Sequence, residues 1–239
     1  MFGLGTIINA AGIVLGGLAG LQFGNVLKER HQEGINLACG LGVMFIGLAG
    51  AMEGMLSVSG GNIASGRSML VIVCLSLGAL VGEIINIEGG FERFGEWLKI
   101  KTGNARDKDF VNGFVTASLT VSIGAMAIVG SIQDGMTGDW SILGTKALID
   151  FIIVMVMTCS MGKGCAFSAI PVLIFEGAMT ALAVVLKPLM TELALSYLSM
   201  IGSMLIFSIG INLVWGKKIR AANLLPALIF AVIAAFLPV

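Results

Sequence analysis

The sequence predicts an all-α fold, a polytopic transmembrane helix bundle of about eight spans. Three observations carry that reading. Of 239 residues, 57% are hydrophobic and only 12% are charged, against roughly 25% charged in an ordinary soluble domain. The apolar residues fall into eight runs, at about 3–23, 35–53, 69–87, 110–132, 143–161, 164–186, 192–214 and 222–238. Each is close to the ~20 residues that a helix needs to cross a bilayer. The 14 basic residues then sort by side. With the N-terminus outside and eight spans, only Arg67, Lys146 and Lys187 fall outside and the other basic residues fall inside, as the positive-inside rule requires. Both termini are then extracytoplasmic.

These figures exclude a soluble enzyme and a disordered chain. Lys plus Arg (14) equals Asp plus Glu (14), so no basic excess is available for nucleic acid. The expected surroundings are a lipid bilayer, and the expected ligand is a small solute or ion. Residues 1–239 read as one transmembrane domain, with 88–109 as a cytoplasmic interfacial helix and linker.

The first run lacks the positively charged start of a signal peptide, since the first basic residue is Lys28. It reads as a retained span. It carries Gly12, Gly16 and Gly20 at intervals of four, and the second run carries Gly40, Gly47 and Gly50. Small residues at such spacing let helix backbones approach where lipid gives no hydrophobic drive for association. Ser196, Ser199, Ser203 and Gly210 form a similar stripe in the seventh run. The ladders are compatible with a homo-oligomer.

Residues 88–109 are too charged to span. Phe91, Phe94, Trp97, Leu98 and Ile100 share one helical face, and Glu92, Arg93, Glu96, Lys99 and Lys101 share the other. That pattern fits a helix lying in the membrane interface.

The fourth run carries a polar stripe, Asn112, Thr116, Thr120 and Gly124, with Ser118 and Ser122 beside it. A Gly-rich polar stretch through Ser131 and Asp134 to Asp139 follows. A broken helix lining a cavity fits, because irregular backbone at membrane depth is tolerated only there or inside protein. So does an ordinary outer loop after a straight helix. The fifth run repeats part of the chemistry, with Thr158-Cys159-Ser160-Met161-Gly162 echoing Thr120-Val121-Ser122-Ile123-Gly124. These hydroxyls either border a water-accessible site or bond back to their own helix.

Acidic residues inside the runs are the sharper signal. A carboxylate at a helix centre costs ~2.5–3.5 kcal/mol on insertion scales. Glu176 lies near the middle of the sixth run and Asp150 two turns before Thr158. Each needs a cavity, a partner or a proton. Glu53 and Glu83 lie nearer span ends. The candidate substrate-binding residues are therefore Asn9, Thr116, Thr120, Ser122, Ser131, Asp134, Asp150, Thr158, Ser160, Glu176 and Asn212. Lys146, four residues before Asp150, reads as an interfacial i, i+4 salt bridge or as an anion attractor at the outer mouth. His31 reads as a solvated loop residue.

Residues 36–53 resemble 195–212 in their spacing of small and apolar residues. Spans one to three would then match six to eight, five spans apart and hence inverted, around a central polar pair of spans four and five. Inverted repeats are common in secondary transporters. No metal or cofactor site is expected. The four cysteines form no C-x-x-C pair. H-E-x-x-H, G-x-S-x-G and Walker motifs are missing from the sequence, so no enzyme activity is expected. A secondary transporter or facilitator is the preferred reading. The alternatives are an ion channel and a membrane scaffold or sensor subunit.

The segment from Gly124 to Gly135, followed by Gly138-Asp139, Lys146 and Asp150, resembles the bacterial inner-membrane family known as domain of unknown function 554. The opening Gly5-Thr6-Ile7-Ile8-Asn9, the pair Gly82-Glu83 and the stretch Asn223-Leu224-Leu225-Pro226-Ala227 are similar too. The resemblance covers essentially the whole chain. It implies a multi-span cytoplasmic-membrane protein of a family usually described as transport proteins, and it implies no substrate. It associates position 176 with an amide at least as much as with an acid, which makes Glu176 a departure.

Overall fold

A computed structural model describes residues 3–24, 26, 28–59, 62–123 and 125–237. The helices are α1 (Leu4–Gly24), α2 (Glu29–Met55), α3 (Ser68–Ile85), α4 (Ile87–Lys101), α5 (Phe110–Ser122), α6 (Ala125–Thr137), α7 (Ser141–Met161), α8 (Ala169–Ala181), the single turn α9 (Ala183–Leu186), α10 (Glu192–Trp215) and α11 (Pro226–Ala234). Short 3₁₀ turns at Lys163–Ser168 and Ala221–Leu224 lead into α8 and α11. An antiparallel hairpin, β1 (Leu56–Ser59) and β2 (Asn62–Ser65), pairs Leu56 with Ser65 and Val58 with Ile63.

The chain is an all-α polytopic bundle. All eight apolar runs are helical, but they are not equal. Among the described residues, six helices are long and apolar enough to cross a membrane. The fourth run is two helices, α5 and α6, whose axes bend by 63° and which together form a seventh candidate. The sequence there reads Ser122-Ile123-Gly124, and Gly/Ser steps are recognised sites of sharp helix bending; Gly124 itself lies outside the described residues. In the eighth run, 222–238, the helical part is the shorter segment Ala221–Ala234.

Local signals set the ends. The hydroxyl of Thr191 accepts the Ala194 N–H at 3.2 Å and caps α10. Gly162 (φ 81°) and Gly216 (φ 76°) end α7 and α10 in the left-handed region that favours glycine. Pro226 opens α11, where no backbone N–H is required.

The helices pack as two compact units. The first comprises residues 1–39, 89–122 and 126–187; the second comprises 40–88, 123–125 and 188–239. In the first unit the glycine ladder of α1 lies on α7. A Cβ at Gly12 would stand 2.9 Å from the Ala147 carbonyl, and Cβ atoms at Gly16 and Gly20 would strike the carbonyls of Phe151 and Met155. Gly17 meets Ala166 in the same way. Apart from Ile13, the buried face of α1 is thus small or polar, with Thr6 and Asn9 among it. Its exposed face holds Ile7, Leu15 and Leu18. Without a hydrophobic drive between helices, close packing and internal hydrogen bonds must hold them together. The charged segment between the third and fourth runs is helical as α4, over Ile87–Lys101, with Phe94 against Phe114 and stacked on Trp97, while Trp97 and Ile100 remain exposed.

In the second unit the ladder of α2 lies on α10. Gly47 approaches the carbonyl of Ser203, and Gly54 approaches Met200. On α3, Gly78 and Gly82 approach Ala227 and Asn223. The Asn223 side chain accepts the Glu88 N–H at 2.8 Å, and the Glu88 carboxylate accepts the Ala222 N–H and pairs with Lys217.

Candidate functional site

The polar residues of the first unit converge on α1. At the first level, Asp134 of α6 accepts the N–H of Gly5 at 2.9 Å. That amide is one of the four unpaired donors at the start of α1, and the helix dipole favours an anion there. One residue further along α1, the hydroxyls of Thr6 and Thr180 of α8 meet at 3.2 Å. At the next level Asn9 Nδ2 donates to Glu176 Oε1 at 2.8 Å.

Lys146 completes that level from α7. Its ammonium pairs with Asp150 and lies 3.5 Å from Glu176 Oε1. It also donates to the carbonyl of Val121 at 2.7 Å. Val121 belongs to the last turn of α5, where carbonyls lack partners within the helix and the dipole favours a cation. The break between α5 and α6 therefore supplies a backbone acceptor to the cluster.

All of this is enclosed. Asn9, Asp134 and Glu176 are 0% exposed, Asp150 3% and Lys146 6%. One ammonium faces two carboxyl groups. Asn9 Oδ1, Glu176 Oε2, Asp134 Oδ1 and Ser131 Oγ are buried without a hydrogen-bond partner among the described residues. Such orphans are costly in a low-dielectric interior, and three of the four are acceptors.

The sequence candidates separate accordingly. Asn9, Asp150 and Glu176 are brought together, with Asp134 and Ser131 on the neighbouring α6. Thr120 is buried and its hydroxyl donates to its own helix at the Thr116 carbonyl, 2.8 Å away. Ser118 likewise bonds to Phe114. Thr116 and Ser122 are half-buried. Ser160 bonds back to Met157 and Val156 and reaches Asn36. Thr158 is buried beside Gly20. Asn212, in the second unit, braces the turn after α10, accepting the N–H groups of Lys218 and Ile219 and donating to the Ile219 carbonyl.

Lys146 is the main correction. The i, i+4 pair with Asp150 forms, and it is buried in the first unit and shared with Glu176 and the Val121 carbonyl. Thr6, Thr180 and the Val121 carbonyl were absent from the candidates. The i, i+3 spacing of Thr6 and Asn9 and the i, i+4 spacing of Glu176 and Thr180 were the available signal. Glu83, near the end of α3, pairs with Arg220 at 2.7 Å, and Glu53 is exposed. Among the described residues, no group of three or more His, Cys, Asp or Glu is placed to hold a metal ion.

Comparison with known proteins agrees with this architecture. The chain is 29% identical over 232 residues to the uncharacterized protein YqgA of Escherichia coli K12, covering 95% of this chain and 94% of that one. It is 26% identical over 232 residues to the uncharacterized membrane protein YdfK of Bacillus subtilis 168, covering 97% and 95%. No solved structure matches. A family model described as Protein of unknown function (DUF554) matches residues 4–236, and the chain belongs to that family.

Proposed function

We propose that this protein is a secondary transporter of a small ion or polar solute in the bacterial cytoplasmic membrane, working at the Asn9–Lys146–Asp150–Glu176 cluster. The observation that carries the reading is the placement of Lys146. A buried ammonium is held by two carboxyl groups and by the carbonyl end of a broken span. Ionisable groups at membrane depth are costly and mark ion or substrate pathways. Discontinuous helices whose carbonyl ends face the site are a recurring transporter device.

The packing supports the inverted repeat. The first and sixth spans touch through Thr6–Thr180 and Asn9–Glu176. The second and seventh touch through Gly47–Phe207 and Gly54–Met200, and the third and eighth through Gly78–Ala227 and Gly82–Asn223. In each pair, advance along one helix is matched by retreat along the other. Repeats of opposite orientation require that antiparallel match.

The enclosure of the cluster favours a carrier over a channel, since a conducting pore needs a continuous wet path. The reading involves no enzymatic step. Flux into proteoliposomes tests it. Uptake above empty vesicles, lost in Asp150→Asn, is the expected result. No flux and no ligand-dependent thermal shift across ions, amino acids and organic acids would overturn it.

A further inference from the structure

We infer that the oxygen cluster around Asn9, Asp150, Glu176 and the Val121 carbonyl is a binding site for one monovalent alkali cation, and that Lys146 is its tethered competitor. This rests on the transporter reading above and names the ligand class of the same site.

Four features point to that class. First, the atoms gathered on Lys146 are all oxygens, two from carboxyl groups and one from a backbone carbonyl. That is a hard donor set, suited to hard cations and not to thiophilic metals. Second, Asn9 Oδ1 and Glu176 Oε2, on the two groups already joined by the Asn9–Glu176 hydrogen bond, are buried acceptors with no partner among the described residues. Orphaned acceptors call for a positive species. Third, two carboxyl groups face a single ammonium, so the cluster holds more acidic capacity than Lys146 alone answers. Fourth, the dipole at the carbonyl end of α5 adds partial negative charge at the Val121 carbonyl.

Other charged groups near Glu176 are accounted for. Lys146 and Asp150 face it from α7, and α1 contributes only Asn9 and Thr6. Asp134 of α6 is engaged with Gly5. The ammonium thus occupies the position where an alkali ion gains most, and the two compete for the same carboxylates.

The test uses the purified full-length protein in detergent at fixed pH and fixed ionic strength. Choline chloride is replaced stepwise by lithium, sodium or potassium chloride, and thermal unfolding is followed. The expected result is a saturable rise in Tm with at least one alkali ion, of roughly 5–10 °C at hundredfold excess over Kd. The rise should vanish in Glu176→Gln and in Asn9→Leu, so either variant suffices if the other does not fold. Lys146→Gln should bind the same ion at least ~10-fold more tightly, because a like charge has been removed from the site. An identical Tm in alkali and choline salts overturns the inference. So does a rise retained in either ligand variant, or a response to pH alone. Proteoliposome flux of another solute without any alkali-ion shift would sink the inference and leave the transporter reading standing.

Discussion

Lys146 donates a 2.7 Å hydrogen bond to the Val121 carbonyl, across 25 residues of chain and onto the last turn of α5. This bond ties a charged side chain to the end of a broken helix. It satisfies an acceptor that the break exposes, and it places the ammonium where Asp150 and Glu176 can also hold it. Removal of the lysine therefore strands three groups together.

Lys146→Met should be strongly destabilising, by about 3–5 kcal/mol, the usual cost of removing one partner from a buried ion pair. The damage comes from uncompensated charge more than from lost volume, so neutralising the carboxyls should repair it. The triple variant Lys146→Met/Asp150→Asn/Glu176→Gln should melt above the single variant. Thermal unfolding in detergent checks both values. A triple variant no more stable than the single would show that charge is not what Lys146 answers.

Glycine substitutions should divide by contact. Gly16→Ala drives a Cβ into the Phe151 carbonyl, a backbone atom that cannot yield cheaply; overpacking of that kind costs about 1–3 kcal/mol. Gly177 has nothing within 4 Å of its Cβ position. Gly177→Ala should be neutral or gain up to ~1 kcal/mol from helix propensity. Equal effects at the two positions would mean that the α1–α7 approach is looser than described here.

Most of the fold was legible because lipid imposes a strong pattern. Eight apolar runs, the Gly12–Gly16–Gly20 ladder and the amphipathic 88–109 segment each state their environment in composition and period. Glu176 and Asp150 stood out because carboxyls are rare at membrane depth. Lys146 did not, since an i, i+4 neighbour of Asp150 has the same spacing whether it faces solvent or a buried carbonyl. Thr120 and Ser160 were ambiguous for the converse reason: a hydroxyl stripe looks the same whether it lines a cavity or bonds to its own helix, and here both bond to their own helix. The helix break was one of two readings of the Gly-rich stretch, and the apolar run continuous from 110 to 132 did not decide between them. The hairpin at Leu56–Ser65 was hidden in a short polar, glycine-containing link.

Asp139 offers a pH signature outside the spans. The Ser141 N–H, donating to its carboxylate at 3.0 Å, holds the group below the ordinary carboxylate value, with Gln133 adding a second bond. A depressed folded-state value means stability that is fully present above the unfolded value of about 3.9 and fades as pH falls through the folded one. Asp139→Asn should therefore lower the Tm at pH 7, and the gap from wild type should close below about pH 4. A gap unchanged down to pH 3 would show that the charge at position 139 contributes nothing.

Cysteine labelling separates structural glue from a working site. Cys74, Cys159 and Cys165 are buried and Cys39 is half-buried, so a cysteine-free background removes little more than small packing groups. In that background, Thr120→Cys should stay unmodified by a water-soluble maleimide in every condition, because residue 120 is sealed and its hydroxyl serves its own helix. Ser131→Cys stands beside the Asp134 level, at a buried position whose native hydroxyl has no partner among the described residues. It should be silent in the enclosed state and gain reactivity when the carrier opens, so its labelling should change with the transported ligand. Asn112→Cys, at an exposed position near the start of α5, reports that the protein is folded and inserted. Silence at 131 under every ligand, with position 112 reactive, would make the buried row a set of interhelical bonds and nothing more.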